Sequence, residues 1–144
     1  MDAELYEKDF YAWLTQNARL MRLGKLSEID VENIAEELES MGKSERRAFM
    51  NRLAVLIAHL LKWRFQPGIR SNSWRYSIKE QRASLLDLLE DSPSLSSEIE
   101  QKIKKAYSKA LIIAARETGL PESSFPPACP FTFSQTVDDS FLPD

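Results

Sequence analysis

Residues 44–66 read SERRAFMNRLAVLIAHLLKWRFQ, and Pro67-Gly68 follows at once. Phe49, Leu53, Leu56, Ile57 and Leu60 recur at three- and four-residue spacing, which sets them on one face of a helix. Ala54, Ala58, Leu61 and Trp63 carry the apolar character round its sides. A helix apolar over most of its circumference is a central one, packed on by several others. Ser44 suits the N-cap, and Pro67-Gly68 ends the segment, because proline lacks the amide donor and clashes with the preceding turn. An all-α fold follows, with this helix at its centre.

Outward from that centre, the same periodicity predicts four further helices. The first spans about Leu5 to Leu23, with Tyr6, Phe10, Trp13, Leu14 and Met21 as its stripe and Gly24 as a left-handed stop. The second begins near Asp30, or from Ser27, with Val31, Ile34, Ala35, Leu38 and Met41 as the face to be buried, and Gly42 ends or bends it. After a loop at 68–72, a fourth helix runs from about Ser73 to Leu89 on Trp74, Ile78, Leu85, Leu88 and Leu89. The fifth runs from Pro93, capped by Ser92, to Thr118, where Gly119 and Pro121 stop it. The tail from Leu120 holds Phe125, Phe131, Phe133 and Phe141, whose apolar area predicts a tail packed on the bundle, with a short helix near 132–137. The expected architecture is an up-and-down bundle of about five helices with an aromatic, proline-rich tail, one domain over residues 1–144.

Composition agrees with a globular chain: 43% hydrophobic, 28% charged, and 4 glycines in 144 residues. One cysteine, Cys129, excludes an internal disulfide and suits a reducing cytoplasm. No apolar run approaches the roughly 18 residues of a membrane span, and the start Met1-Asp2-Ala3-Glu4 does not read as a signal peptide. A cytoplasmic protein without a membrane partner is expected. Net charge is −3, but it is segregated. Residues 1–42 carry 4 basic and 10 acidic side chains, residues 43–82 carry 10 and 2, and residues 83–144 carry 5 and 10. Acidic and basic helices lying side by side would neutralise each other; an exposed basic face would attract an acidic partner.

Several segments together resemble a bacterial family catalogued as domain of unknown function 29. They are Asp9-Phe10-Tyr11 with Trp13, Asn33-Ile34-Ala35-Glu36-Glu37, Gly42 with Ser44-Glu45, and His59-Leu60-Leu61-Lys62-Trp63. Ser73-Trp74-Arg75, Ser92-Pro93-Ser94-Leu95, Glu117-Thr118-Gly119-Leu120 and Cys129-Pro130-Phe131 complete the set. The resemblance covers nearly the whole chain and implies an all-helical bundle from a bacterium. It implies no activity.

Three places could carry chemistry. Arg52, His59, Lys62 and Gln66 line one side of the central helix, and Glu37 or Asp9 could supply a carboxylate. Such a group could do acid–base work or bind an anion, or it could be a buried charge network that sets helix register. Lys62, Arg64, Arg70, Arg75, Lys79 and Arg82 interleave with Trp63, Phe65, Trp74 and Tyr76, the residue types that phosphate neutralisation and base stacking need. Glu36 with Glu39, and Asp87 with Glu90, pair carboxylates on helix faces as magnesium sites do, although solvated acids are the ordinary reason for such pairs. Cys129 reads as a packed, inert thiol. No phosphate-binding glycine loop, nucleophile–base arrangement or cofactor motif is present, so no cofactor or metal is expected. The expected function is a helical interaction module that binds a protein partner or itself. The alternatives are a nucleic-acid-binding accessory protein that uses residues 43–82, and a metal-dependent nucleotide hydrolase.

Overall fold

A computed structural model describes residues 3–144. Met1 and Asp2 of the acidic start lie outside the described residues. The fold is all-α, a helical bundle, with no strand among the described residues. Its helices are α1 (Ala3–Lys8), α2 (Phe10–Arg22), α3 (Val31–Phe65), α4 (Asn72–Asp91), α5 (Ile99–Thr118) and α6 (Phe133–Val137). The chain divides into two compact units, residues 1–45 and 46–144, and α3 contributes to both.

In the first unit, the expected single helix over 5–23 is two. Asp9 leaves helical geometry and turns its side chain to accept from the Ala12 amide at 3.0 Å, so it caps α2. Gly24 takes φ +75°, the left-handed conformation expected after the helix. Trp13 is buried, with its ring edge-on to Tyr6 and stacked near Phe10. Its indole Nε1 donates to Asp30 Oδ2 at 2.9 Å, and Asn33 Nδ2 donates to the same oxygen at 2.8 Å. The buried Asn17 bridges the Trp13 carbonyl and the Asp30 amide. One carboxylate thus starts α3 and anchors the indole of α2.

The two helices expected on either side of Gly42 are one continuous helix, α3. A glycine inside a helix costs about 1 kcal/mol relative to alanine, which the apolar anchoring of the following turns exceeds. A second difference concerns the face of α3 expected to be buried. Val31, Leu38 and Met41 are 59%, 63% and 65% exposed, and Ala35 is exposed as well. Among the described residues, nine of the thirteen exposed large hydrophobics fall within the first 45 positions.

The second unit holds the core. Phe49, Leu53, Ala54, Leu56, Ile57, Ala58, Leu60 and Leu61 of α3 are fully buried. Ile78 and Leu85 of α4 join them, as do Ile103, Ala106, Tyr107, Ala110, Ile113 and Ala114 of α5. The helix expected from about Ser73 begins at Asn72, capped by Ser71, which accepts from the Trp74 amide at 3.1 Å. The helix expected from Pro93 begins at Ile99 instead, because Pro93–Ser96 forms a 3₁₀ turn and Glu98 sits at φ +52°. The tail is packed as expected: Phe125 and Phe131 are buried, and Phe133 and Phe141 are half-buried against the core. Thr132 and Gln135 close a reciprocal capping box on α6.

Candidate functional site

Lys62 is a charged group enclosed by the core, at 6% exposure. It enters from α3 because four turns of apolar residues hold that face inward. Its Nζ lies 2.8 Å from Glu117 Oε1 on the last turn of α5 and 4.8 Å from the ring centre of Trp74 on α4. The Lys62 hydrogen bond, ahead of every other influence, holds the Glu117 carboxyl below its ordinary range. Arg116 approaches the other Glu117 oxygen at 3.4 Å. One turn before Lys62, half-buried His59 has an Nδ1 without a hydrogen-bond partner. Burial, and then the Lys62 charge, push its pKa below the ordinary value. The imidazole is therefore kept neutral beside an ion pair that joins α3 to α5, with the Trp74 ring of α4 against its lysine.

The remaining residues predicted for this stripe go elsewhere. Arg52 is exposed beside a shallow groove with Asn51, Val55 and Gln81. Gln66 is half-buried at the end of α3, before the 3₁₀ turn Pro67–Ile69. Asp9 caps α2, and Glu37 accepts a hydrogen bond from the Tyr6 hydroxyl, which pushes the Tyr6 pKa up to about 12. The carboxylate on Lys62 is thus Glu117, not Glu37 or Asp9. Sequence reasoning missed Glu117 and Trp74 as its partners. The available signal was that a lysine on a core-facing helix needs a carboxylate, and Glu117 is the acid in the last turn of α5.

Part of the basic segment is occupied with its own fold. Arg82, predicted as an anion contact, is 2% exposed. It donates to the Thr136 carbonyl at 2.8 Å, to Gln135 at 3.2 Å and to Phe141 at 2.8 Å, which clamps the tail on α4. Arg70 donates to the Trp63 carbonyl at 2.7 Å and to that of Pro143 at 3.4 Å. Arg70 and Arg75 lie over the Trp63 ring, and Arg64 over that of Phe65. Arg75, Lys79 and Arg82 do meet along one cleft, with Asp139 and Leu142 on its wall. The two tryptophans proposed for base stacking turn their faces to cations of the same chain.

Glu36, Glu39, Asp87 and Glu90 are exposed on their helices. Among the described residues, no three His, Cys, Asp or Glu side chains gather as a metal site. The Cys129 thiol is half-buried, donates weakly to the Phe131 carbonyl at 3.5 Å, and has its pKa raised by burial. It is a thiol rather than a thiolate at neutral pH.

The surface that the fold leaves unexplained is on the first unit. Val31, Ala35, Leu38 and Gly42 share a face of α3 with Phe49 and Leu53 further along. That face is open up to Gly42 and completely enclosed from Phe49 onward. On α2, Phe10, Leu14 and Met21 are aligned and exposed in the same manner.

The family model described as domain of unknown function DUF29 matches residues 5–142, which takes in both units. The chain belongs to this family. The segments carrying the resemblance supply the two networks described above. Asp9-Phe10-Tyr11, Trp13 and Asn33–Glu37 build the first unit's hydrogen bonds. His59–Trp63, Ser73–Arg75 and Glu117–Leu120 meet at the Lys62–Glu117–Trp74 cluster. Neither the curated proteins nor the solved structures include a match to the chain. No helix among the described residues is long and apolar enough to cross a membrane.

Proposed function

We propose that this DUF29 chain is a helical interaction module of the bacterial cytoplasm that docks a helix of a protein partner on the open face of α3. One observation carries the reading: Val31 and Leu38 stand 59% and 63% exposed, with Met41 at their edge, on a face whose continuation at Phe49, Leu53, Leu56 and Leu60 is sealed. Isolated exposed hydrophobics are ordinary, but an aligned row of them is the mark of a docking surface. The single free thiol suits the reducing compartment. The use of the buried cations for internal contacts, Lys62 on Glu117 and Arg82 on the tail, also favours a scaffold over a catalyst.

The test is a photo-activated cross-linking residue at Met41, with one at exposed Lys105 of α5 as the control, in cells that express the chain naturally. A discrete protein adduct from position 41 that is absent from position 105, and lost with Leu38→Glu, is expected. Equal labelling at both positions, or indifference to Leu38→Glu, would remove the docking surface.

A further inference from the structure

We infer that the occupant of this face is the same helix of a second copy, with two α3 helices crossing antiparallel at Gly42. The inference rests on the docking reading above and names its partner.

Gly42 is the first observation. It has an ordinary helical backbone, so no left-handed conformation demands glycine there. A Cβ built on it would meet nothing within 4 Å, so no packing within the chain demands it either. Glycine at such a place lets another backbone come close. Leu38 and Met41 lie one turn or less from it, both exposed, and would cover the crossing point.

Charge is the second observation, and it selects the partner. Before Gly42, α3 carries Glu32, Glu36, Glu37 and Glu39 with no basic residue. After it come Lys43, Arg46, Arg47 and Arg52, with Glu45 the acid among them. A helix that is acidic on one side of its crossing point and basic on the other is complementary to itself when reversed. In a two-fold arrangement each contact occurs twice, residue i on j and j on i. A crossing at Gly42 sets Glu39 opposite Arg46 of the second copy, and Arg46 opposite its Glu39. Both side chains are exposed, and neither forms an ion pair among the described residues.

The enclosed face sets the limit of the contact. From Phe49 onward the same side of α3 is covered by its own core, so the second helix must diverge there. The helices therefore cross rather than lie along each other, and the contact centres on residues 38–46.

The experiment is sedimentation equilibrium on the purified full chain, its Glu39→Arg and Arg46→Glu variants, and the double variant. Each exposed substitution is first checked for unchanged helicity by circular dichroism. The wild type is expected to dimerise. Each single reversal puts two pairs of like charges together and should weaken the dimer roughly tenfold or more. The double variant restores opposite charges and should recover most of the affinity. A dimer indifferent to the reversals, or weakened by both singles without recovery in the double, overturns the antiparallel crossing. A strictly monomeric wild type overturns self-pairing. If position 41 then still cross-links a protein of another mass, the docking reading survives without this partner.

Discussion

At His59 and Glu117 the environment shifts two pKa values in the same direction, and stability inherits a pH dependence from both. Burial and the neighbouring Lys62 depress His59 below its ordinary 6.5, so the unfolded chain takes up that proton first. Its contribution to stability is complete above about 6.5 and is lost as pH falls toward the folded-state value. Glu117, depressed chiefly by the Lys62 hydrogen bond, acts further toward acid. Its contribution is held above its ordinary 4.5 and lost as pH falls through the lower folded value. Melting temperature measured from neutral to acid pH should therefore decline in two stages. His59→Asn, neutral throughout, should flatten the first stage, and Glu117→Gln the second. A first stage unchanged in His59→Asn would assign that acid sensitivity to another group. Of this cluster, His59 and Lys62 were legible as neighbours from their spacing. Glu117, 55 residues from Lys62, was not, because helical periodicity says nothing about which acid another helix brings.

At the scale of elements, α3 combines two environments in one helix. Leu56 is completely buried in the core, and Leu56→Ala should cost about 2–5 kcal/mol, since the cavity it leaves is only partly filled by relaxation. Leu38 is 63% exposed, and Leu38→Ala should change the stability of the isolated chain by less than about 0.5 kcal/mol. Chemical denaturation of both variants at a concentration too low for self-association checks the contrast. Equal costs would mean that the two halves of α3 are packed alike. Sequence reasoning marked the central helix and its core face but ended or bent the preceding helix at Gly42, whereas α3 runs through it. Its error was to weigh a propensity of about 1 kcal/mol above the tertiary anchoring of the turns that follow.

At the scale of the whole molecule, burial is uneven between the two compact units. In residues 1–45 the fully described buried side chains are Trp13 and Asn17, whereas residues 46–144 enclose a continuous core from α3 to the tail. Local opening follows buried contacts. Hydrogen exchange should therefore be slowest at the amides of Leu53–Trp63 and Ala106–Ala114, and fastest in α1 and the turn Leu26–Glu28. Uniform protection along the chain would contradict this distribution. The charge segregation seen in the sequence is met in part by direct pairing. Among the described residues one ion pair, Lys62–Glu117, joins two helices, while Arg82 is satisfied by backbone carbonyls.

The sequence by itself determined the all-α class, the central apolar helix, the packed tail and its short helix, because these follow from local periodicity, capping and apolar content. Tertiary structure alone decided that Glu117 meets Lys62, that Arg82 holds the tail, and that the apolar face of α3 is sealed beyond Phe49 but open before Gly42. The physical reason is that a repeat of apolar residues specifies a face, whereas burial of that face requires another surface to cover it.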